Sequence, residues 1–402
     1  MKRSNRIVES LPPSGIRKFF DVVSETEDVI SLGIGEPDFI TPWQIREATI
    51  YALEQGLTCY TSNYGLLELR QEISHYLDVM FNLEYDPATE ILVTTGVSEA
   101  FDLAIRAAFD AGDEVILHQP CYVSYEPLLT LARAVPVIIE TGPKNNFRVT
   151  ADSIAKKITP NTKALILSFP NNPTGAIIEC SELSRIAELA RRHDLLVISD
   201  EIYGELTYEI QHSSIANLPG MKDRTLFLHG FSKAFAMTGY RIGYAAGPRE
   251  LIQSMLKIHQ YSMLCAPIAS QVAAIEALRN GKTEMLKMKA EYNKRRKSFV
   301  RGLNNIGLTC LEPDGAFYAF PSILQSGLTS EQFAIQLLKE EKVAVVPGTA
   351  FGACGEGFVR CSYAAAKDQL DEALKRLERF TALIMTRQSN TRADGVAYRS
   401  MK

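Results

Sequence analysis

The runs ILVTT (residues 91–95), EVILH (114–118) and ALILSF (164–169) are short, apolar and rich in β-branched residues. Four similar runs lie in the same part of the chain: VPVIIE (135–140), LLVIS (195–199), TLFLH (225–229) and IGYAA (242–246). Helix-like segments such as Ser98–Phe109 and Ser181–His193 separate most of them. Strands that alternate with helices are typical of a parallel sheet with crossover helices. The sequence therefore predicts a mostly parallel sheet of seven strands.

The segments outside this sheet indicate a second, smaller domain, because a long helical pattern is followed by a mixture of short strands and helices. We therefore predict an α/β protein with a three-layer αβα large domain over residues 41–290. A smaller α+β domain is expected to combine the N-terminal arm, residues 1–40, with residues 291–387. The polar tail, residues 388–402, lacks periodicity and is expected to be mobile.

The overall composition argues against several functional classes. The chain has 402 residues, is 46% hydrophobic and 22% charged, and its net charge of -4 offers no basic field for nucleic acid. Its 7 cysteines include no C-x-x-C pair and its 6 histidines form no metal-ligand motif. We therefore expect reduced thiols, a cytoplasmic location and no bound metal. No apolar stretch approaches the roughly 20 residues that a membrane helix needs.

Small or polar residues lie at or just after the carboxyl ends of five predicted strands: Gly96, Tyr122, Asn172, Asp200 and Ser232. Any one of them alone would be interpreted as a turn residue or a helix cap. Open α/β sheets, however, bind their ligands at this edge, where loops and helix N-termini converge. The set as a whole therefore predicts a single pocket.

The chemistry of this pocket is indicated by Lys233, which lies in the run GFSKAFAMTGYRIG (230–243). A lysine amine condenses with an aldehyde as a Schiff base. The adjacent hydroxyl of Ser232 and the guanidinium of Arg241 suit a phosphate. A lone lysine would carry no information, but this combination predicts pyridoxal 5′-phosphate (PLP), which carries both an aldehyde and a phosphate.

Further residues match the other needs of this cofactor. Asp200 could keep the pyridine nitrogen protonated, which deepens the electron sink. Tyr203, about one helical step further on, could donate to the oxygen on the cofactor ring. The amides of Val97 and Ser98 could hold phosphate oxygens at a helix N-terminus. Tyr122 could stack on the ring, although by itself it would equally well be a core aromatic residue.

A substrate clamp is predicted at Arg360, which interrupts the apolar strand Phe358–Ser362. A buried guanidinium needs an anionic partner, which is either a substrate carboxylate or a structural ion pair. Asn172, in NNPTG (171–175), is a candidate hydrogen-bonding side chain for the cofactor oxygen. Gly35 could let its backbone approach the same carboxylate as Arg360.

Together these motifs resemble those of the fold-type-I PLP aminotransferases of class I/II, the family that includes aspartate and aromatic aminotransferases. The resemblance extends from about Ser14 to Arg387. The motifs that carry it are GEPDF (35–39), YTSNYGLLELR (60–70), TTGVSEA (94–100), NNPTG (171–175), SDEIY (199–203), SKAFAMTGYRIG (232–243), PGTAFG (347–352) and VRCSYA (359–364).

The resemblance implies transfer of an amino group from an L-amino acid to a 2-oxo acid, with 2-oxoglutarate as the expected acceptor and ping-pong kinetics. It implies that Lys233 is the Schiff-base lysine and the proton shuttle. Arg360, with Asn172 and Gly35, resembles the α-carboxylate clamp. Tyr60 matches a tyrosine that reaches the cofactor phosphate of a neighbouring subunit, which implies a homodimer. The remaining cofactor residues match the roles given above, with Gly96 leading into the phosphate-binding helix.

The identity of the amino donor stays open between aspartate, aromatic and N-acyl-diaminopimelate types. SGIRKF (14–19), SDEIYGELTY (199–208) and DGAFYAFPSI (314–323) are similar to N-acetyl-LL-diaminopimelate aminotransferases, whereas no arginine stands out as a clamp for a second carboxylate. A PLP-dependent carbon–sulfur β-lyase on the same fold is an alternative. A PLP-binding transcription regulator is a third, although it would need a DNA-binding module before the first motif.

Overall fold

The computed structural model describes residues 4–13, 15 and 28–399. The predicted runs form strands whose ends agree with the sequence to within two residues. In chain order the strands are β1 Ile30–Ser31, β2 Ile91–Thr94, β3 Glu114–Gln119, β4 Val135–Glu140, β5 Thr162–Ser168, β6 Leu196–Asp200, β7 Thr225–Gly230, β8 Gly243–Ala246, β9 Tyr318–Ala319, β10 Val343–Ala344, β11 Val346–Pro347 and β12 Val359–Ser362.

The central sheet has seven strands in the order β2-β8-β7-β6-β5-β3-β4. The five strands from β4 to β7 in this order run parallel, whereas β8 runs antiparallel to both of its neighbours. This arrangement confirms the prediction of a mostly parallel seven-stranded sheet. In the register of β5 and β6, Ser168 lies opposite Asp200, so the carboxyl ends of these two strands meet at one edge.

Helices cover both faces of this sheet. In chain order the helices are α1 Arg6–Ser10, α2 Trp43–Glu54, α3 Leu67–Phe81, α4 Val97–Ala108, α5 Tyr125–Leu131, α6 Ala151–Ala155, α7 Cys180–Arg192, α8 Arg249–Ser262, α9 Ile268–Asn280, α10 Lys282–Asn305, α11 Ser330–Glu341 and α12 Lys367–Arg399. Successive side chains of a strand point to opposite faces. Accordingly, Val197 packs in a cluster with Ile186 of α7, whereas Ile198 packs with Phe101 of α4. This is the predicted three-layer arrangement.

The C-terminal third forms smaller sheets beside the large one. Strands β11, β12 and β9 make an antiparallel sheet, and β1 from the N-terminal part of the chain pairs in parallel with β10. This pairing brings the N-terminal arm to the C-terminal third, as the sequence analysis expected. The helix α10 runs through residue 290, where the sequence analysis placed a domain boundary.

Two segments differ in detail from their sequence patterns. Arg295 and Arg296 belong to the basic run KRRK (294–297), a pattern that is typical of a solvated helix face, but both are buried. Arg295 pairs with Asp38 at 2.8 Å and Arg296 with Glu209 at 2.9 Å, so these contacts satisfy the buried charges. The last helix continues to Arg399 and includes most of the expected tail, whose mobility stays a prediction.

Candidate functional site

A cavity of about 650 Å³ lies at the carboxyl edge of the central sheet. All of the sequence-predicted site residues except Gly96 and Tyr60 line it. Gly96 lies directly behind the lining, against Arg241. Tyr60 lies outside this cavity and is 83% exposed. The fold thus brings together residues that are up to 325 positions apart in sequence, from Gly35 to Arg360.

Lys233 follows β7 and projects into this cavity. Its Nζ donates a hydrogen bond to the carbonyl oxygen of Gly35 at 2.6 Å. Burial away from water, with a further contribution from the nearby guanidinium of Arg360, lowers the pKa of Lys233 to about 8. In the described part of the chain no carboxylate pairs with this amine. At pH 7 about one tenth of Lys233 is therefore unprotonated and nucleophilic, which is far more than for a lysine with an ordinary pKa.

Asp200 is the last residue of β6 and is almost fully buried. Its carboxylate accepts hydrogen bonds from the hydroxyl of Tyr125 at 2.6 Å and from the amide of Ile202 at 3.2 Å. The Tyr125 hydroxyl is also 2.9 Å from Ser168 Oγ, and because it has one proton, it donates to Asp200 and accepts from Ser168. Burial raises the pKa of Asp200, whereas the bond from Tyr125 opposes that rise.

Tyr125 was missed by the sequence analysis. It begins α5, three residues after Tyr122, and its ring lies 5.5 Å from the ring of Tyr122 in an edge-on contact. Its position one helical turn beyond a predicted site residue was the available signal. The hydroxyl stabilises the charged form of Asp200, which a cationic ring nitrogen would need as its partner.

The N-terminus of α4 and Arg241 form an anion cradle. Gly96 precedes this helix with φ 80°, so the free amides of Val97 and Ser98 begin the helix next to the cavity. A Cβ at Gly96 would lie 2.8 Å from Nη2 of Arg241, so this close approach requires glycine. Arg241 donates to the carbonyl of Thr238 at 3.2 Å and has no carboxylate partner among the described residues. These donors suit a phosphate.

Arg360 provides a second anion site in the same cavity. It is 2% exposed, and its guanidinium lies over the rings of Tyr318 at 4.5 Å and Phe351 at 4.9 Å. Nη1 donates to Asn172 Oδ1 at 2.9 Å and Nη2 donates to the carbonyl of Gly33, while Nε has no protein partner. No carboxylate of the described residues neutralises this buried charge. The structure therefore favours an anionic ligand over the structural ion pair.

Two tyrosine hydroxyls meet in the same cavity, next to Arg360. Tyr203, in the turn after β6, and Tyr318, on β9, have their Oη atoms 2.7 Å apart. Both side chains are buried and both line the cavity. The sequence analysis named Tyr203 as a site residue, but it quoted Tyr318 only as part of a motif. The site can therefore bind two anionic groups and place an amine, a carboxylate and a phenol between them.

Within the described residues, no group of three or more histidine, cysteine, aspartate or glutamate side chains is arranged to hold a metal ion. None of the described helices is both long enough and apolar enough to cross a membrane.

Comparison with known proteins gives a consistent result. The family model for aminotransferase class I and II matches residues 27–377. An aspartate aminotransferase of Pyrococcus abyssi is 46% identical over 94% of this chain and 98% of its own length. A probable N-acetyl-LL-diaminopimelate aminotransferase of Bacillus subtilis is 45% identical over 91% of this chain and 93% of its own length. The crystal structure of an aromatic aminotransferase from Pyrococcus horikoshii matches with a TM-score of 0.87 and 45% identity, covering 92% of this chain and 99% of that one.

Proposed function

The chain belongs to the class I and II aminotransferases, and from this premise we propose that it uses PLP bound at Lys233 to move an amino group between an L-amino acid and a 2-oxo acid. The observation that carries the proposal is the position of Lys233. Its amine, with a pKa of about 8, faces a cavity that holds a cradle suited to phosphate at Arg241. The same cavity holds the buried guanidinium of Arg360, which has no carboxylate partner among the described residues. An enzyme that must hold a phosphate and a carboxylate beside one amine needs this arrangement.

The residues present fit PLP. The amides of Val97 and Ser98, the hydroxyl of Ser232 and the guanidinium of Arg241 would hold its phosphate. Asp200 would face the ring nitrogen, and Tyr122 would lie against the ring. When bound, PLP supplies an electron sink that stabilises negative charge at the substrate α-carbon.

The protein groups then act on the substrate. Arg360 binds its α-carboxylate, with the amide of Asn172 and the backbone near Gly35 completing the clamp. The amine of Lys233 would act as the general base that removes the α-proton of the substrate, and its Nζ would hold this proton for return later in the reaction. Because the first product leaves before the second substrate binds, ping-pong kinetics follow. We propose 2-oxoglutarate as the acceptor.

The donor belongs to the types that the relatives' names suggest: aspartate, aromatic or N-acyl-diaminopimelate. The cations that line the cavity are Lys233, Arg241 and Arg360, and each has a role in the proposal already. A second substrate carboxylate would therefore need a cation from outside the described residues of this cavity. The named relatives are all aminotransferases and do not favour the β-lyase alternative.

We further propose a homodimer in the cytoplasm. Tyr60 and Tyr261 are 83% and 90% exposed. A 2.7 Å hydrogen bond from Asn63 to the carbonyl of Leu264 joins the loop that contains Tyr60 to the segment after α8, the helix that contains Tyr261. Exposed aromatic residues of this size are typical of an interface. Tyr60 would reach the cofactor phosphate of the partner subunit. The cysteines are all free thiols, which agrees with a reducing compartment.

Borohydride reduction followed by peptide mapping tests the central proposal. We expect the pyridoxyl group on the peptide that contains Lys233, and we expect Lys233→Ala to lose both turnover and the absorbance of the lysine-bound cofactor. Lys289→Ala is a matched control, because this partly buried lysine does not line the cavity. A pyridoxyl group on another lysine, or full activity of Lys233→Ala, would exclude the assignment.

A further inference from the structure

Tyr318 contacts three parts of the proposed active site and has no role in the proposed function. Its hydroxyl is 2.7 Å from the hydroxyl of Tyr203, and its ring lies 4.5 Å below the guanidinium of Arg360. A Cβ at Gly35 would lie 2.3 Å from the same hydroxyl, so the backbone of Gly35 runs directly over it. The carbonyl of that glycine is the acceptor for Lys233.

The small antiparallel sheet explains how Tyr318 reaches Arg360. In the pairing of β9 and β12, Tyr318 lies opposite Ser362. Residues that lie directly opposite each other in a sheet share a face, and Arg360, two residues from Ser362, lies on that face too. Tyr318 and Arg360 are therefore diagonal neighbours, whose stacking is fixed by backbone pairing.

Only one arrangement of the two hydroxyl protons allows Tyr203 to donate a hydrogen bond to the cofactor. Each phenol carries one proton, and the bond between the two oxygens consumes one of them. If Tyr203 donated to Tyr318, its proton would be turned away from the cofactor. If Tyr318 donates, the Tyr203 proton is free for an oxygen in the cavity, and the accepted bond makes Tyr203 a stronger donor. Among the described residues, Tyr203 is the hydrogen-bond partner of Tyr318 Oη.

We propose that Tyr318 is a positioning residue of this active site: its hydroxyl donates to Tyr203 and directs the Tyr203 proton toward the ring oxygen of the cofactor, while its ring holds the guanidinium of Arg360. This inference rests on the proposed function, because it assumes that a PLP ring lies beside Tyr203. The hydroxyl and the ring have separate effects, which two substitutions can distinguish.

Tyr318→Phe removes the hydroxyl and keeps the ring. A hydrogen bond from Tyr203 to the ring oxygen stabilises the form of the bound cofactor in which the Lys233 nitrogen is unprotonated, and so lowers the pKa of that nitrogen. Tyr318→Phe weakens this hydrogen bond and should therefore raise the pKa of the Lys233 nitrogen by about half a unit. This pKa is read from the absorbance of the lysine-bound cofactor as a function of pH. Tyr203→Phe should raise it by about one to two units. Tyr318→Phe should leave the KM for the amino donor nearly unchanged.

The decisive experiment is the double variant. If Tyr318 acts through Tyr203, adding Tyr318→Phe to Tyr203→Phe should shift the absorbance pKa no further. Tyr363→Phe is the matched control, since Tyr363 is a fully buried tyrosine of the same region that donates to the carbonyl of Ala316 at 3.1 Å and does not line the cavity. It should leave the absorbance pKa unchanged.

Tyr318→Leu tests the ring. It should raise the absorbance pKa as much as Tyr318→Phe does and should also raise the KM for the amino donor by roughly tenfold, because the guanidinium of Arg360 loses its aromatic support. The inference about Tyr318, but not the proposed function, would be overturned by either of two results. One is an unchanged absorbance pKa in Tyr318→Phe, and the other is that Tyr318→Phe shifts this pKa equally in the unmodified and in the Tyr203→Phe enzyme. No shift in Tyr203→Phe, or no lysine-bound absorbance in the unmodified enzyme, would instead contradict the proposed function.

Discussion

Replacing Tyr125 by phenylalanine should shift the pH range in which the protein binds its cofactor. In the structure, the Tyr125 hydroxyl donates to the buried carboxylate of Asp200 at 2.6 Å. The amide of Ile202, at 3.2 Å, is the other hydrogen-bond donor to this carboxylate. The hydrogen bond from this hydroxyl stabilises the ionised form of Asp200 much more than the protonated form. Removal of the hydroxyl must therefore raise the pKa of Asp200.

The size of the shift follows from the strength of such a bond. A hydrogen bond to a charged group contributes about 1.5–3 kcal/mol, which corresponds to about one to two pKa units. The Tyr125 bond is short and buried, so the upper half of that range applies. Burial already raises the pKa of Asp200 above its ordinary value, and the substitution adds to that rise.

The assay is the dissociation constant of pyridoxamine 5′-phosphate between pH 4 and 8, measured with the cofactor-free enzyme. This ligand binds without condensing with Lys233, so its affinity reports on the pairing of Asp200 with the protonated ring nitrogen. Ionised Asp200 is present above its pKa and is lost as the pH falls through it. The acid limb of affinity should therefore lie about one and a half to two pH units higher in Tyr125→Phe than in the unmodified enzyme.

A matched control is Tyr244→Phe. Tyr244 is also buried within the large domain, but its hydroxyl has no hydrogen-bond partner in the part of the chain that the structure describes. Removing an unpaired buried hydroxyl should leave the acid limb in place and the fold at least as stable. An acid limb that is the same in Tyr125→Phe as in the unmodified enzyme, with the protein folded, would refute the argument that this hydroxyl keeps Asp200 ionised.

Three further predictions concern the anion sites and the lysine. Gly96→Ala should weaken cofactor binding by roughly tenfold or more, because the new Cβ meets Arg241 at 2.8 Å; Gly112→Ala, with a similar positive φ of 96° but open space, controls for backbone strain. Arg360→Lys should raise the KM for the amino donor about a hundredfold, since the planar two-pronged donor is lost; an unchanged KM would remove Arg360 from the carboxylate site. The rate at which cofactor-free enzyme captures PLP should rise with pH and level off above about pH 8, where Lys233 is unprotonated; a rate that still climbs steeply at pH 10 would contradict the lowered pKa.

Residues whose roles depend on local sequence were predictable. The strands of the central sheet are apolar on both faces, so they appear as short continuous runs. Polar residues such as Asn172 and Asp200 follow these apolar runs at or just after their carboxyl ends. The carboxyl ends of parallel strands all lie at the same edge of the sheet. Polar residues that directly follow successive strands were therefore enough to predict a shared pocket at that edge. The cavity at that edge agrees with this expectation.

Residues whose roles depend on contacts between distant segments were not predictable. In the sequence, Tyr125 and Tyr318 look like ordinary apolar positions. Their roles depend on contacts made in the folded protein, of the Tyr125 hydroxyl with Asp200 and of the Tyr318 hydroxyl with Tyr203. Arg295 likewise belongs to a basic run that resembles a solvated helix face. Its burial depends on Asp38, which is 257 residues away in sequence.

The amino-acid sequence by itself determined the strand and helix pattern, the family and the chemical types gathered at the sheet edge, because these follow from short-range periodicity and from motifs. Tertiary structure alone decided the charge states and orientations of those groups. A pKa depends on burial and on the nearest donors and charges, which for Lys233 and Asp200 come from segments far apart in the chain. The orientation of Arg360 likewise depends on Asn172, which is 188 residues away in sequence.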